Sequence, residues 1–139
     1  MGCRSIFMNY YSKFINKYGY GKTIDIYVKD IPGYIEQLKY AQWRLDTETP
    51  AAGVYHDWQV VKNALPSKIE KVKASTDKFI KEWEEAEDKY SDEVSEKFYS
   101  KILDIEYDWE DAWKIARQAN AIFARQSYCS WKANGGSFD

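Results

Sequence analysis

The 139-residue sequence has one histidine, two cysteines and three prolines, and it has no long run of apolar residues. With a single histidine, His56, the chain cannot supply the four Cys or His ligands of a structural zinc site. Neither a nucleophile elbow nor a glycine-rich phosphate loop is present, so nucleophilic catalysis and P-loop nucleotide binding are not expected. We therefore predict a protein that is not an enzyme, with no catalytic residue, no metal ligand and no cofactor.

The small numbers of glycine, proline and cysteine, and the lack of long apolar runs, also limit the architecture and the cellular compartment that can be expected. Seven glycines and three prolines leave little material for a disordered linker, so we predict a single domain over residues 1–139. No stretch is long and apolar enough for a membrane-spanning helix. Cys3 and Cys129 lie near opposite ends without metal-ligand spacing, which is typical of free thiols in a reducing compartment. These expectations together indicate a cytoplasmic location.

Acidic residues, in contrast, are concentrated in one segment. Residues 77–111 contain 14 Asp or Glu and five Lys, a local net charge of −9, whereas the whole chain has a net charge of −2. Seven aromatic residues are interleaved with these charges. This asymmetry favours a helical surface that meets a basic partner. It disfavours direct nucleic-acid binding, because the carboxylates would repel phosphates.

Two long apolar stripes predict an antiparallel helical hairpin over residues 67–126. Ser67 with Glu70 forms a capping box at the start of the first helix, and Ser91 caps the start of the second. Two long helices joined by a short turn must be antiparallel, and apolar spacings of three and four residues give a coiled-coil-like seam. The stripes are Ile69, Val72, Thr76, Phe79, Trp83, Ala86 and Tyr90, and then Val94, Phe98, Ile102, Ile105, Trp109, Ala112, Ala116, Ala119 and Phe123.

The prolines predict where other helices start. Pro32 occupies an expected first helical position, and its helix should extend to about residue 47. Thr49-Pro50 precedes a short helix that ends near Leu65. Pro66 directly precedes the capping box and should separate that helix from the hairpin.

The N-terminal part is predicted to contain the one strand of an otherwise mostly α protein. Over residues 22–29, Ile24, Ile26 and Val28 alternate with Asp25, Tyr27 and Lys29, which is typical of a β-strand. We thus expect a helix and strand segment at 1–30, a small helical bundle at 31–126 and a loose tail at 127–139. A lone strand needs a partner, either a second strand or another copy of the chain in a homodimer through residues 22–29.

The candidate binding residues form two groups. The first is a pair of carboxylate rows with a neighbouring tyrosine, and the second has the residue types enriched at binding hot spots. The rows are Asp77, Glu84 and Asp88 on the first hairpin helix and Asp104, Asp108 and Asp111 on the second, with Tyr107 beside them; the other group is Tyr40, Trp43 and Arg44. Two alternatives remain open, namely that the charged rows are only a solvated surface and that the aromatic residues pack inside the bundle.

Two carboxylate pairs suggest a different function. Glu82-x-x-Glu85 and Asp108-x-x-Asp111 resemble the paired motifs of all-α nucleotide pyrophosphatases, and this resemblance implies Mg²⁺ held between helices. If the hairpin turns near Ser91, the two pairs are displaced by about eight residues, roughly 12 Å along the helix axis. One ion cannot bridge that separation, so we rank the hydrolase last.

The favoured hypothesis is a small interaction protein or inhibitor. Its acidic, aromatic-studded helical face would bind the basic surface of a nucleic-acid-processing enzyme or a toxin. Phage-encoded inhibitors and immunity proteins have this general size and charge. The alternative is a homo-oligomeric structural or assembly protein, and neither hypothesis requires a membrane.

Overall fold

The computed structural model describes the backbone of residues 8–138 and the side chains of residues 10–138. Within these residues the chain forms a helical bundle and contains no β-strand. A short 3-10 helix, Ala52–Val54, separates the second and third α-helices. The α-helices are α1 (Met8–Tyr18), α2 (Tyr20–Thr47), α3 (Tyr55–Glu85), α4 (Asp92–Ala116), α5 (Ala119–Ile122) and α6 (Tyr128–Ala133).

Three long helices, α2, α3 and α4, enclose one hydrophobic core. Each of them contributes a stripe of buried residues at helical spacing, and α1 packs against α2 and adds Tyr11. The core is rich in aromatic rings, and many of them meet edge to face, for example Tyr27 with Phe79. Such rings bury large areas for each residue that is ordered, which explains how a short chain supports helices of this length.

The predicted pairing of two long helices is confirmed, but not its bounds over 67–126. Helix α3 begins at Tyr55, so Ser67 and Glu70 lie inside it and do not cap it, and α4 ends at Ala116. Trp83 and Trp109 are both 2% exposed on the seam between α3 and α4. Ser91 caps α4 as predicted, because its Oγ accepts a hydrogen bond from the Val94 amide at 3.3 Å. Helix α3 ends at Glu85, earlier than the stripe suggested, and Tyr90 lies in the connecting turn with 58% of its surface exposed.

The strand prediction for residues 22–29 is wrong, because this segment lies inside α2. The helix buries one stripe at spacings of three and four, which includes Tyr27, whereas a strand would have placed Tyr27 on the face opposite Ile24. The stripe is Ile24, Tyr27, Ile31, Tyr34 and Leu38. The lone strand was the reason to expect a homodimer through residues 22–29, and that reason disappears with it.

Two prolines predicted to mark helix starts lie inside helices instead. Pro32 is within α2, and Pro66 is within α3, which is continuous from Tyr55. An interior proline removes one backbone hydrogen bond and disfavours the helix. Here buried residues flank each proline, for example Ile31 and Tyr34 around Pro32. Core packing therefore outweighs the local preference of these prolines.

The C-terminal tail, predicted to be loose, contains helix α6. Ser127 caps it by accepting a hydrogen bond from the Ser130 amide at 3.1 Å, and Trp131 is buried. The prediction of free thiols is also wrong, because Cys129 in α6 is disulfide-bonded. The other cysteine of the sequence, Cys3, lies outside the described residues.

Candidate functional site

The acidic edge of α4 consists of Asp104, Asp108 and Asp111, which the helix brings onto one side as the sequence predicted. Two of the three contact α3. The Lys71 Nζ lies 3.3 Å from Asp108 Oδ1, and the Lys68 Nζ lies 3.4 Å from Asp111 Oδ2. Asp104 makes no hydrogen bond or ion pair with any described residue, so its charge remains uncompensated at the surface.

The second carboxylate row does not join this edge. Ser75 Oγ donates a hydrogen bond to Asp108 at 2.8 Å, and Lys101 binds Glu82 at 2.9 Å, so Ser75 and Glu82 mark the side of α3 that faces α4. Two residues turn an α-helix by roughly 200°. Asp77 and Glu84, each two residues further along, therefore lie on the opposite side of α3.

Asp88 belongs to neither row. It is in the turn between α3 and α4, with a φ of 52° in the left-handed region that Asp tolerates better than most residues. Its side chain is exposed. The six carboxylates of the two predicted rows thus occupy three separate parts of the surface.

Beside the acidic edge, α4 exposes an apolar group. Tyr107 is 67% exposed and Leu103, one turn earlier, is 43% exposed. Both lie next to Asp104 on the side of α4 that faces away from the core. We call Leu103, Asp104 and Tyr107 the outer α4 patch.

The other predicted binding group is covered by the C-terminal segment. Tyr40 is 5% exposed, and the Trp131 ring lies 4.7 Å from the Tyr40 ring and 5.2 Å from the Trp43 ring. The Tyr40 hydroxyl donates a hydrogen bond to the Gln126 carbonyl at 3.2 Å. Burial raises the pKa of this tyrosine. In this arrangement Tyr40 and Arg44 are buried and Trp43 is half-buried against Trp131, as expected if the three residues pack within the bundle.

Arg44 is the anchor of this packing. It is only 2% exposed, forms an ion pair with Glu48, and donates hydrogen bonds to the Ala124 carbonyl at 2.5 Å and to Asn120 Oδ1 at 3.3 Å. A buried guanidinium is tolerated when it is paired and hydrogen-bonded in this way. The contacts with Ala124 and Asn120 hold the chain after α4 against α2.

The two carboxylate pairs of the hydrolase hypothesis lie at different levels of the hairpin. Glu82 faces Lys101, and the hydrogen bond from that lysine lowers the pKa of the Glu82 carboxyl. Asp108 faces Lys71 and Ser75, about two helical turns away. Among residues 10–138, no group of three or more His, Cys, Asp or Glu side chains is arranged to hold a metal ion. His56 is exposed in the first turn of α3.

A cavity that was not predicted from the sequence lies beneath the C-terminal segment. It is lined by residues from α2, from the end of α4 and from 117–129, among them Arg44, Arg117 and Arg125. Arg117 and Arg125 are the only basic residues between Lys114 and Lys132. Their position in this otherwise uncharged stretch was the one feature of the sequence that could have indicated the cavity. Nothing in their spacing relates them to α2.

Comparison of the chain with protein-family models, with curated proteins and with solved structures finds no match. The class of protein is therefore described from its fold and its surface alone. The described part of the chain is an aromatic-rich helical bundle with an acidic hairpin edge and a covered arginine cavity. Every helix within residues 8–138 is too short or too polar to cross a lipid bilayer.

Proposed function

We propose that the protein is a small binding protein, and that the outer α4 patch docks on a basic surface of another protein. The observation that supports this proposal is the combination of an uncompensated carboxylate, Asp104, with an exposed tyrosine, Tyr107, on one rigid helix. Tyr107 makes no hydrogen bond or ring contact with any described residue, so packing in the core does not account for it. Tyrosine is enriched among residues that dominate binding energy.

Charge determines the kind of partner. Residues 77–111 carry a net charge of −9, and carboxylates around an apolar centre attract a surface rich in Lys and Arg. A nucleic-acid-processing enzyme or a toxin has such a surface, and occupying it would inhibit that enzyme or toxin. Because Asp108 and Asp111 already bind lysines of α3, we assign the main electrostatic contribution to Asp104.

The test uses two variants with matched changes of charge. Asp104→Asn combined with Tyr107→Ala alters the patch, and Asp77→Asn removes one charge from the opposite side of α3. Wild type and both variants, immobilised in parallel, are used to capture proteins from the native host, and mass spectrometry identifies those retained. We expect a basic protein that the wild type and Asp77→Asn retain and that the patch variant loses.

Binding kinetics then test the electrostatic contribution assigned to Asp104. With the captured protein purified, the association rate is measured against ionic strength by surface plasmon resonance. Asp104→Asn alone should slow association and flatten its salt dependence, because a surface charge acts mainly on the encounter rate. Equal rates and equal salt slopes for Asp104→Asn and wild type would contradict the assignment.

A further inference from the structure

The cavity beneath the C-terminal segment has a volume of about 270 Å³. That is close to the lower end of the range for small-molecule sites, about 300–1,000 Å³. Its walls come from three places: Gln37, Tyr40 and Arg44 on α2, Trp113 near the end of α4, and the segment that carries Arg117 and Arg125. The cavity is therefore a junction between elements, the usual location of a ligand site.

The lining is basic in an otherwise acidic protein. Three of the four arginines of the sequence line the cavity, and no Asp or Glu does. Arg44 is balanced by Glu48. The side chains of Arg117 and Arg125 are exposed and make no hydrogen bond or ion pair with any residue that the structure describes. Two positive charges at the cavity thus lack a counter-charge.

A residue that lines the cavity also has a buried hydrogen-bond donor without a partner in the described part of the chain. The Gln37 Nε2 atom is buried and has no hydrogen-bond partner among the described residues. Most buried donors in native proteins are satisfied, and an exception calls for an explanation such as a bound group. Gln37 lines the cavity together with the arginines, so one occupant could accept from all of them.

Aromatic rings form another part of the wall. Trp113 lines the cavity and stacks on Trp109, with 5.4 Å between ring centroids and 13° between planes. The Trp113 ring is therefore held in one orientation by a buried partner. Tyr40 lines the cavity from α2. A planar ring entering the cavity would find flat apolar surface.

We propose that this cavity binds a small phosphate monoester with a planar ring. The phosphate would lie between Arg117 and Arg125 and accept a hydrogen bond from Gln37 Nε2, while the ring would pack on Trp113. A phosphate monoester carries −1.5 to −2 charges at neutral pH, which matches the two uncompensated arginines. Guanidinium groups also bind phosphate through paired hydrogen bonds. This site is distinct from the outer α4 patch and does not depend on the function proposed for it.

Phenyl phosphate is the probe that tests the proposal. Full-length protein is titrated with phenyl phosphate, with inorganic phosphate and with phenol, and binding is followed by calorimetry and by the NMR signals of the tryptophan indoles. We expect phenyl phosphate to bind at least tenfold more tightly than either half-molecule and to shift the Trp113 signal. Equal affinity for inorganic phosphate would overturn the role of the ring, and no binding at millimolar concentration would overturn the site.

Single substitutions test which residues of the cavity bind phenyl phosphate. Arg117→Gln and Arg125→Gln are exposed changes that should each weaken phenyl phosphate binding tenfold or more. Lys97→Gln, an exposed change of the same charge on the first half of α4, is the control and should leave the affinity unaltered. If the two arginine variants behave like Lys97→Gln, the proposal is wrong.

Gln37→Leu provides a test that does not depend on charge. It removes the unsatisfied donor, so we expect weaker binding of phenyl phosphate with no loss of thermal stability. Arg44 is not varied, because its contacts with Ala124 and Asn120 hold the wall of the cavity in place. Unaltered affinity in Gln37→Leu would exclude Gln37 from the site.

Discussion

The Trp83 indole donates a hydrogen bond to Asp25 Oδ1 at 2.9 Å, which ties the end of α3 to the start of α2. The other oxygen of the same carboxylate accepts a hydrogen bond from the Tyr90 hydroxyl at 2.8 Å. One half-buried carboxylate therefore holds both the buried tryptophan and the turn that follows α3. Gly21 makes the approach feasible, because a Cβ at this position would lie 2.6 Å from the Tyr90 ring.

The Asp25 contacts give the first prediction. Asp25→Ala should destabilise the protein by about 1–3 kcal/mol, because the Trp83 N–H would lose its acceptor at a buried site. Asp25→Asn should retain most of the stability, since its amide oxygen can still accept from the indole. Chemical denaturation of the two variants checks this, and equal midpoints would show that the hydrogen bond contributes little.

The hairpin seam gives the second prediction. Trp109→Ala should lower the free energy of unfolding by about 3–5 kcal/mol, as for other large-to-small changes in a core. Tyr107→Ala, two residues earlier on the exposed side of α4, should alter it by less than about 0.5 kcal/mol. Urea denaturation measures both, and similar losses in the two variants would mean that the helical register is wrong.

The packing of the C-terminal segment on α2 gives the third prediction. Trp131→Ala removes the ring that packs on Tyr40 and Trp43, so limited proteolysis should cleave near residues 124–127 faster than in wild type. Lys132→Ala, an exposed change in the same helix, is the control. Mass spectrometry of the fragments locates the cleavage, and identical patterns for both variants would contradict the packing role of Trp131.

The fourth prediction concerns high pH. Burial, together with the hydrogen bond that the hydroxyl donates to Glu36, raises the pKa of Tyr128 from 10.0 to about 12. The unfolded chain loses this proton at lower pH than the folded protein, so stability from Tyr128 is complete below pH 10 and decreases as pH rises towards 12. Tyr128→Phe should show a shallower loss of thermal stability over that interval. A slope equal to that of wild type would contradict this.

The hairpin could be predicted because its signals are local and agree with one another. Spacings of three and four residues persist over both stripes, and Ser91 carries a side chain that can cap a helix. Burial of Trp83 and Trp109 follows from that register alone. The bounds of the two helices were misjudged. Helix α3 begins at Tyr55 and not at Ser67, and α4 ends at Ala116, before the stripe does. Tyr90 continues the pattern in sequence although the chain has already left α3.

The N-terminal error has a specific physical cause. Ile24, Ile26 and Val28 fit a period of two, while Ile24, Tyr27 and Ile31 fit a helical period, and the two patterns overlap in one segment. β-branched residues favour the first assignment, but their preference for strands depends on packing and is weak. Tyr27 decides between them, because it is completely buried with the helical stripe.

The arginine cavity could not be predicted, because it depends on contacts between distant parts of the chain. Arg44 reaches Asn120 and Ala124, which are 76 and 80 residues further along. No periodicity connects such positions. The sequence did single out Tyr40, Trp43 and Arg44 as unusual, but the residues that cover them became apparent only in the folded chain.

The return of the C-terminal segment to α2 also has a consequence for the order of folding. The three long helices follow one another in the chain and can associate through near-neighbour contacts, which form quickly. The hydrogen bond between Tyr40 and Gln126, in contrast, joins residues 86 positions apart, so its loop must close against a larger entropy. We expect the bundle to assemble first and the C-terminal segment to close over α2 last, which would make the arginine cavity the latest part of the molecule to form.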